Sequence, residues 1–304
     1  MLNYGFAHIH DASLKSWQYL YLFAGALTVL LGVVLLFLPN SPAEAWWFTS
    51  EEKIVAIERL RQGQLGTRCQ KIKWEQIKEA MFDIKVWIIT MMMGIAYVIN
   101  GCISGFGPLI VSTFGWSAYD ALLWQMPLGA ICFVGILVVG YLSLKFKNIR
   151  LIMLALNCLP VIAGCAMIWK SRWYRRAGTP IAGYSILGTF APVTSLVVSL
   201  GMVNVAGNSK KSFTAAATFT FYCVGNIVGP QLIKTQTVGQ HYPQLWTAVI
   251  VCYALLVVLS ALLYFMLRRE NRRRNTLNLD KEEGERIAFD DLTDKQNLYF
   301  RYAY

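Results

Sequence analysis

The sequence has few charged residues, and long parts of it have none. Asp, Glu, Lys and Arg make up 15% of the 304 residues, whereas soluble domains carry about 25%. The charges are concentrated in the gaps between apolar tracts. Because the hydrocarbon core of a bilayer admits only segments whose backbone polar groups are satisfied internally, this distribution predicts an all-α integral membrane protein.

The sequence also lacks the patterns of metal-binding and disulfide-rich proteins. None of the seven cysteines belongs to a CxxC pair, and the three histidines have no metal-ligand spacing. Cysteines within apolar tracts behave as small hydrophobic residues. A membrane enzyme would need titratable groups in mutual reach, and no such constellation is present. We therefore expect no metal, no cofactor, no disulfide and no enzymatic activity.

The net charge of +11 does not indicate a nucleic-acid partner. Most of the 28 Lys and Arg residues fall in gaps on one side of an alternating topology. Cytoplasmic loops of membrane proteins carry such an excess of Lys and Arg. The distribution therefore predicts a bilayer as the surroundings and a cytoplasmic C-terminus.

Seven apolar tracts are long enough to cross a bilayer as helices, which takes about 20 residues. They are approximately residues 17–38, 86–111, 121–142, 151–169, 181–203, 213–233 and 245–267. A hydrophilic insert, residues 39–85, separates the first predicted span from the other six.

The insert has the signals of a folded segment. Thr49 and Glu52 have the spacing of a capping box at a helix start. Trp74, Ile77 and Met81 recur on one face of a second predicted helix. We expect two amphipathic helices along the cytoplasmic surface; the alternative is a disordered charged linker.

Motifs along essentially the whole chain carry a family resemblance. They are LPNSPAEAWWFTSEEK, NVAGNSKKS, FYCVGNIVGPQLI, HYPQLWTAVIVCYAL, and the tail segments LRRENRRRN and DDLTDKQNLYFRY. Together they resemble the fungal allantoate permease family of anion:cation symporters, within the major facilitator superfamily. Proteins of this superfamily contain two halves of six spans each.

The resemblance implies a truncated major facilitator superfamily fold. Residues 1–38 would end the N-terminal half with its sixth helix, and 39–85 would form the cytoplasmic central loop. Residues 86–267 would form the six-helix C-terminal bundle, and 268–304 the cytoplasmic tail. Leu144 and Lys145 stand where the superfamily has an acid and an arginine between helices eight and nine, which puts that gate contact in doubt for this chain.

The resemblance further implies a secondary active transporter of a small organic anion, coupled to protons and located in the plasma membrane. The substrate would be allantoate, ureidosuccinate, or a related carboxylate or vitamin. Transport would require a complementary N-terminal half. The alternative is a non-transporting truncated remnant of such a carrier.

The candidate substrate-lining residues are uncharged, because no Asp, Glu, Lys, Arg or His lies in the interior of a predicted span. Ionisable groups within membranes commonly relay protons or bind counter-ions, so we expect those groups in the missing half. Asn100, Gly101, Ser104 and Pro108 predict a break in the second span. The candidates for the lining are Tyr97, Asn100, Ser104, Gln125, Tyr222 and Asn226.

A second interpretation of these polar residues is that they join helices to one another. For Asn100 and Gln125 both interpretations stay open. Asn226 lies inside Gly225-x-x-x-Gly229, a spacing that favours close helix packing.

Overall fold

The computed structural model of the protein describes residues 2–7, 14–39, 44–62, 72–173, 177–277, 287 and 290–304. These residues form α-helices and short 3₁₀ turns and contain no β-strand. The chain divides into two compact units, residues 1–67 with 285–290, and residues 68–284 with 291–304.

The first unit contains α1 (Leu2–Ala7), α2 (Ser16–Leu35) and α3 (Ser50–Gln62). The predicted capping box is present at the start of α3. The Thr49 backbone N–H donates to Glu52 Oε2 at 2.9 Å, and the Glu52 N–H donates to Thr49 Oγ1 at 3.3 Å. Two backbone donors that a helix start would leave unpaired are thereby satisfied.

The second unit contains the remaining helices. They are α4 (Trp74–Met81), α5 (Ile84–Ser112), α6 (Ala118–Leu123), α7 (Gln125–Lys145), α8 (Arg150–Lys170), α9 (Gly178–Ile186), α10 (Phe190–Val203), α11 (Asn208–Gln231) and α12 (Pro243–Asn275). A 3₁₀ turn, Leu187–Thr189, joins α9 to α10, and another, Thr235–Gln240, precedes α12.

Six helical segments of the described residues are long and apolar enough to cross a membrane. They are Ser16–Leu35, Ile84–Ser112, Ala118–Lys145, Arg150–Lys170, Gly178–Val203 and Pro243–Asn275. They coincide with six of the seven predicted spans and confirm the all-α membrane prediction. The other predicted span, 213–233, lies in α11, which is helical but too polar to join this set because it begins with NSKKS and continues with several threonines.

The helices α5 and α11 approach each other through glycines. A Cβ atom added at Gly225 would collide with the backbone oxygen of Gly94, and one at Gly229 with that of Val98. At Gly101 an added Cβ would lie 2.7 Å from the Asn226 oxygen. Small residues let helix backbones approach closely in membranes, where helix association depends on packing. The close packing predicted for Gly225-x-x-x-Gly229 is confirmed.

The predicted break in the second span is wrong. The helix α5 runs without interruption from Ile84 to Ser112, through Asn100, Gly101 and Pro108. Membrane helices tolerate such residues because neighbouring helices and polar side chains satisfy the backbone groups that they free. The helix that packs most extensively along α5 is α11.

The helix α4 is present where it is predicted, but it packs through its polar face. Trp74 and Met81 of the predicted apolar stripe are 69% and 49% exposed. The buried residues of α4 are Gln76 and Ala80. The apolar stripe thus remains on the outside of the unit, as expected for a helix whose apolar side meets the membrane interface.

Local backbone features set the positions of α5 and α11 at the end of the bundle where α4 lies. Asp83 caps α5, since its carboxylate accepts from the Lys85 N–H at 3.2 Å. Gly207, with φ 88°, precedes α11. A Cβ at Gly207 would lie 2.9 Å from Gln76 Oε1, so a glycine is needed both for its left-handed backbone and for the approach of α4.

The glycine contact predicts a difference between two Gly→Ala substitutions in the purified protein. Gly225→Ala should cost about 1–3 kcal/mol, because the added methyl group overpacks the α5–α11 contact. Gly105→Ala should be neutral or stabilising, because nothing lies within 4 Å of that position and Ala favours helix over Gly. Thermal unfolding in detergent measures both; equal melting temperatures for the two variants would contradict this account of the packing.

Candidate functional site

The polar side chains of α5 and α11 meet in one hydrogen-bonded cluster. Asn100 Nδ2 donates to Asn226 Oδ1 at 2.9 Å. The Ser104 hydroxyl donates to Asn100 Oδ1 at 3.1 Å, and Asn226 Nδ2 donates to the Tyr222 backbone oxygen at 2.9 Å. Each amide nitrogen carries two N–H groups, so each of the two asparagines retains one donor beyond these bonds.

Two tyrosines form the neighbouring part of this cluster. The rings of Tyr97 and Tyr222 lie 4.5 Å apart between centroids, at 72°. Both tyrosines and both asparagines are partly exposed, and Ser104 is exposed. Five of the six candidate residues, Tyr97, Asn100, Ser104, Tyr222 and Asn226, therefore share one accessible face of the α5–α11 pair, which we call the amide–tyrosine cluster.

Gln125, the sixth candidate, belongs to a different pair. Its Oε1 accepts from the Tyr184 hydroxyl at 2.7 Å, and its Nε2 donates to the Ala121 oxygen at 3.1 Å. Tyr184 is fully buried, and a Cβ at Gly107 would collide with its hydroxyl. The sequence prediction missed Tyr184, although a tyrosine inside an apolar tract usually needs a hydrogen-bond partner.

A second group of polar residues lies at the end of the bundle where α4, α11 and the final segment of the chain meet. Its centre is Lys210, in the first turn of α11, whose side chain is fully buried. The Lys210 Nζ lies 2.8 Å from Glu79 Oε1, 2.7 Å from Asp83 Oδ2 and 2.7 Å from Asp294 Oδ1. Three carboxylates from two distant parts of the sequence thus share one ammonium group.

Lys85 joins the same carboxylates from the other side. Its Nζ lies 2.6 Å from Asp294 Oδ2 and donates to the Tyr302 hydroxyl at 2.6 Å. The Tyr302 hydroxyl in turn donates to Asp294 Oδ2 at 2.7 Å. We call Glu79, Asp83, Lys85, Lys210, Asp294 and Tyr302 the ionic cluster.

The two lysines keep Asp294 ionised. Burial by itself raises the pKa of a carboxyl group. The charges of Lys85 and Lys210 outweigh this effect and lower the Asp294 pKa to about 2. Asp294 is therefore a carboxylate at neutral pH, and both lysines have a negative partner inside the protein.

Arg274, at the end of α12, holds the final segment through backbone atoms. Its guanidinium donates to the oxygens of Asp294, Asn297 and Phe300 at 2.8, 3.1 and 2.9 Å. Its Nε donates to Glu270 Oε1 at 2.8 Å. Arg274 is 2% exposed, so its charge serves to bind this segment rather than to face water.

Side-chain amides complete the attachment of residues 291–304, which we call the tail strap. Asn271 exchanges two hydrogen bonds with the Tyr302 backbone, at 2.7 and 3.0 Å. Asn204 does the same with Ala303, at 2.9 and 2.8 Å. Gln76 donates to the Asp291 oxygen at 2.9 Å. The tail strap thereby connects α4, α5, α10, α11 and α12.

Sequence reasoning did not predict the ionic cluster. The relevant signal is a tail with acids and tyrosines, DDLTDKQNLYFRYAY, in a chain that has lysines at the starts of α5 and α11. Pairing them requires the fold, because Lys85 and Asp294 are separated by 209 positions.

The chain matches the family model described as Major Facilitator Superfamily over residues 7–230. It is 36% identical over 310 residues to an uncharacterised transporter of Schizosaccharomyces pombe, covering 100% of this chain and 58% of that protein. It is 31% identical over 322 residues to the allantoate permease of Saccharomyces cerevisiae, covering 99% of this chain and 58% of the permease.

A thiamine pathway transporter of Saccharomyces cerevisiae is 29% identical over 306 residues, covering 100% of this chain and 58% of that protein. The chain therefore spans less than two thirds of the length of these curated relatives.

The ionic cluster predicts that Lys210→Met releases the tail strap. Removing one partner of a buried ion pair costs about 3–5 kcal/mol, because the remaining carboxylates lose their counter-charge. Since proteolysis follows the population of the opened state, tryptic cleavage in the strap should become faster by about 100-fold or more. The measurement is the rate at which limited trypsin removes the strap from the purified protein.

The matched control is Lys211→Met, the neighbouring lysine, which forms no ion pair with the described residues. It should leave the cleavage rate within a few-fold of the unmodified chain. Equal acceleration by both substitutions would contradict the role given to Lys210.

Proposed function

Because the chain belongs to the Major Facilitator Superfamily, we propose that it acts in a secondary active transporter of a small organic anion, as the C-terminal part of that carrier. The amide–tyrosine cluster is the observation that carries this proposal. It presents uncharged donors and two aromatic rings on one accessible face of two helices that cross the bundle.

The family branch in this proposal is that of the allantoate permeases. It is supported by the 31% identity to a protein named allantoate permease and by the motifs of α11 and α12. The substrate would be a carboxylate such as allantoate or ureidosuccinate, or a related vitamin. Amide N–H groups and tyrosine hydroxyls are suited to such a ligand, because carboxylate oxygens are strong acceptors.

Proton coupling, in this proposal, depends on side chains outside this bundle. The interiors of its apolar segments hold no Asp, Glu, Lys, Arg or His, and such groups are the usual proton relays within membranes. A complementary N-terminal half would supply them. Transport would then proceed by rocking of the two halves around a site near the middle of the bilayer.

We also propose the organisation of the chain within the carrier. Residues 1–38 end the N-terminal half, 39–85 form the central loop, 86–267 the six-helix bundle and 268–304 the tail. The tail-bearing end faces the cytoplasm of a plasma-membrane protein. The excess of Lys and Arg at that end supports this orientation.

A non-transporting remnant is the second candidate. Two observations favour it for a chain of these 304 residues expressed alone: the absence of titratable groups in the span interiors, and the 58% coverage of the relatives. Uptake of radiolabelled allantoate by cells expressing the chain alone, above vector controls, would eliminate this candidate.

A chimera tests the transporter proposal. The segment of the Saccharomyces cerevisiae allantoate permease that aligns with this chain is replaced by residues 1–304, and uptake is measured in yeast lacking the permease. The chimera should transport allantoate. Asn100→Ala or Asn226→Ala should lower uptake about tenfold, the effect of losing one hydrogen bond of about 1.4 kcal/mol at the substrate.

The matched control is Asn157→Ala, because Asn157 lies within α8 and its amide donates, among the described residues, only to the Met153 oxygen of its own helix. Its uptake should equal that of the chimera. A chimera present at the cell surface but inactive, or an equal loss in all three variants, would refute the site.

A further inference from the structure

An apolar groove lies between α8 and α12 on the outside of the bundle. Its walls are formed by Ile152, Leu156 and Leu159 of α8 and by Ala261, Tyr264 and Phe265 of α12, around a volume of about 310 Å³. The three α8 residues are 47%, 55% and 54% exposed. The polar side chains in the described lining are those of Ser260 and Tyr264, and the Ser260 hydroxyl donates to the Val257 oxygen of its own helix at 2.8 Å.

A basic cavity of about 410 Å³ opens at the tail-bearing end of the same two helices. Lys147 comes from the α7–α8 connection, Arg150 from the start of α8 and Arg301 from the tail strap, and the amides of Asn148 and Asn275 lie beside them. No Asp or Glu belongs to the described lining. None of these three cations forms an ion pair with an acid in the described part of the chain. The Arg301 guanidinium donates to Asn275 Oδ1 and to three backbone oxygens, which fixes its charge at the cavity wall.

The groove and the basic cavity lie next to each other. Arg150 of the cavity and Leu151 of the groove are consecutive residues at the start of α8. The Tyr264 ring of the groove lies 5.2 Å from the Tyr304 ring of the cavity. A fourth cation, Arg268, lies 5.8 Å from the Tyr264 ring centroid, at the boundary between the two.

The start of α8 adds a further attraction for an anion. Its N-cap residue, Ile149, makes no side-chain hydrogen bond to the first turn. The first N–H groups of a helix carry partial positive charge and favour anions. Leu144 and Lys145 precede α8 in the sequence, and the α7–α8 connection contains no carboxylate that could neutralise this partial positive charge.

We propose that the groove and the basic cavity together bind an acidic phospholipid. The phosphate group lies among Lys147, Arg150 and Arg301, and one acyl chain lies along the α8–α12 groove. From Leu151 to Leu159 the groove extends about 12 Å along the helix. This length is close to the roughly 15 Å of hydrocarbon in one leaflet, half of a core of about 30 Å.

The charge pattern selects an acidic phospholipid over the other possible occupants. A second copy of this chain would have to bring an acid to the cavity next to an apolar ridge, and free phosphate would leave the groove empty. A phospholipid of the bilayer carries both the phosphate group for the basic cavity and the acyl chain for the groove in one molecule. Clusters of Lys and Arg at a membrane surface attract anionic lipids.

Native mass spectrometry of the purified full chain tests this proposal. The probes are phosphatidic acid and phosphatidylcholine with identical acyl chains, and inorganic phosphate alone. The chain should retain phosphatidic acid in preference to phosphatidylcholine. In Lys147→Gln/Arg150→Gln, affinity for phosphatidic acid should fall about 25-fold, since each Lys or Arg near an acidic lipid contributes roughly fivefold.

A second variant examines the groove independently of charge. Ala261→Phe places a ring in the groove and should also weaken phosphatidic acid binding, while phosphatidylcholine binding elsewhere stays unchanged. The matched control is Lys78→Gln/Arg269→Gln, two exposed cations at the same end that line neither cavity; its affinity should equal that of the unmodified chain.

Three results would overturn the proposal. The first is equal retention of phosphatidic acid by the unmodified chain and Lys147→Gln/Arg150→Gln. The second is inorganic phosphate displacing the lipid at equal concentration, which would assign the cavity to a free anion. The third is a dimer in the same spectra that Ala261→Phe abolishes, which would assign the groove to a second copy. None of these results depends on transport, so they are distinguishable from a failure of the chimera.

Discussion

The tail-bearing end of the bundle depends on the buried ammonium group of Lys210. A lone charge at that depth would be prohibitively costly, and the protein offsets this cost with Glu79, Asp83 and Asp294 at 2.7–2.8 Å. Because these acids come from α4, the start of α5 and the tail strap, forming the ion pairs also fixes three segments to α11. The polar face of α4 is buried for the same reason, and its apolar stripe remains outside.

The middle of the bundle depends on a different constraint. In a bilayer no hydrophobic force drives one apolar helix onto another, so α5 and α11 associate through glycines and paired amides. The contacts of Gly225 and Gly229 bring the two backbones together, and the Asn100–Asn226 hydrogen bond lies within that contact. Close packing and the amide–tyrosine cluster are thus two results of the same arrangement. In the family to which the chain belongs, we propose that this cluster faces the substrate.

Much of the fold could be predicted from the sequence, because membrane spans follow from long uncharged tracts. The all-α class and six of the spans were predicted in this way, and the capping box at Thr49 was predicted from its spacing to Glu52.

The predicted break at Asn100 was wrong, because the helix propensities of Pro and Gly in water do not hold for a membrane helix that is packed along its length. The apolar stripe of α4 was located correctly, whereas the burial of Gln76 was not predicted, because it depends on hydrogen bonds to the tail strap. The shared face of Tyr97, Asn100, Tyr222 and Asn226 follows from helical spacing on each helix. The partner of Gln125 and the ionic cluster do not, since they join residues that are distant in sequence.

We propose that α11 crosses the membrane, although it begins with NSKKS and carries Tyr222 and Asn226. The most direct test is labelling by a membrane-impermeant maleimide in sealed vesicles, with single cysteines placed at Ser212 and at Gly239 in a chain whose native cysteines are replaced. Both positions are exposed and lie beyond opposite ends of the predicted span 213–233. We expect each cysteine to be labelled from a different side of the membrane. Labelling of both from the same side would contradict the account.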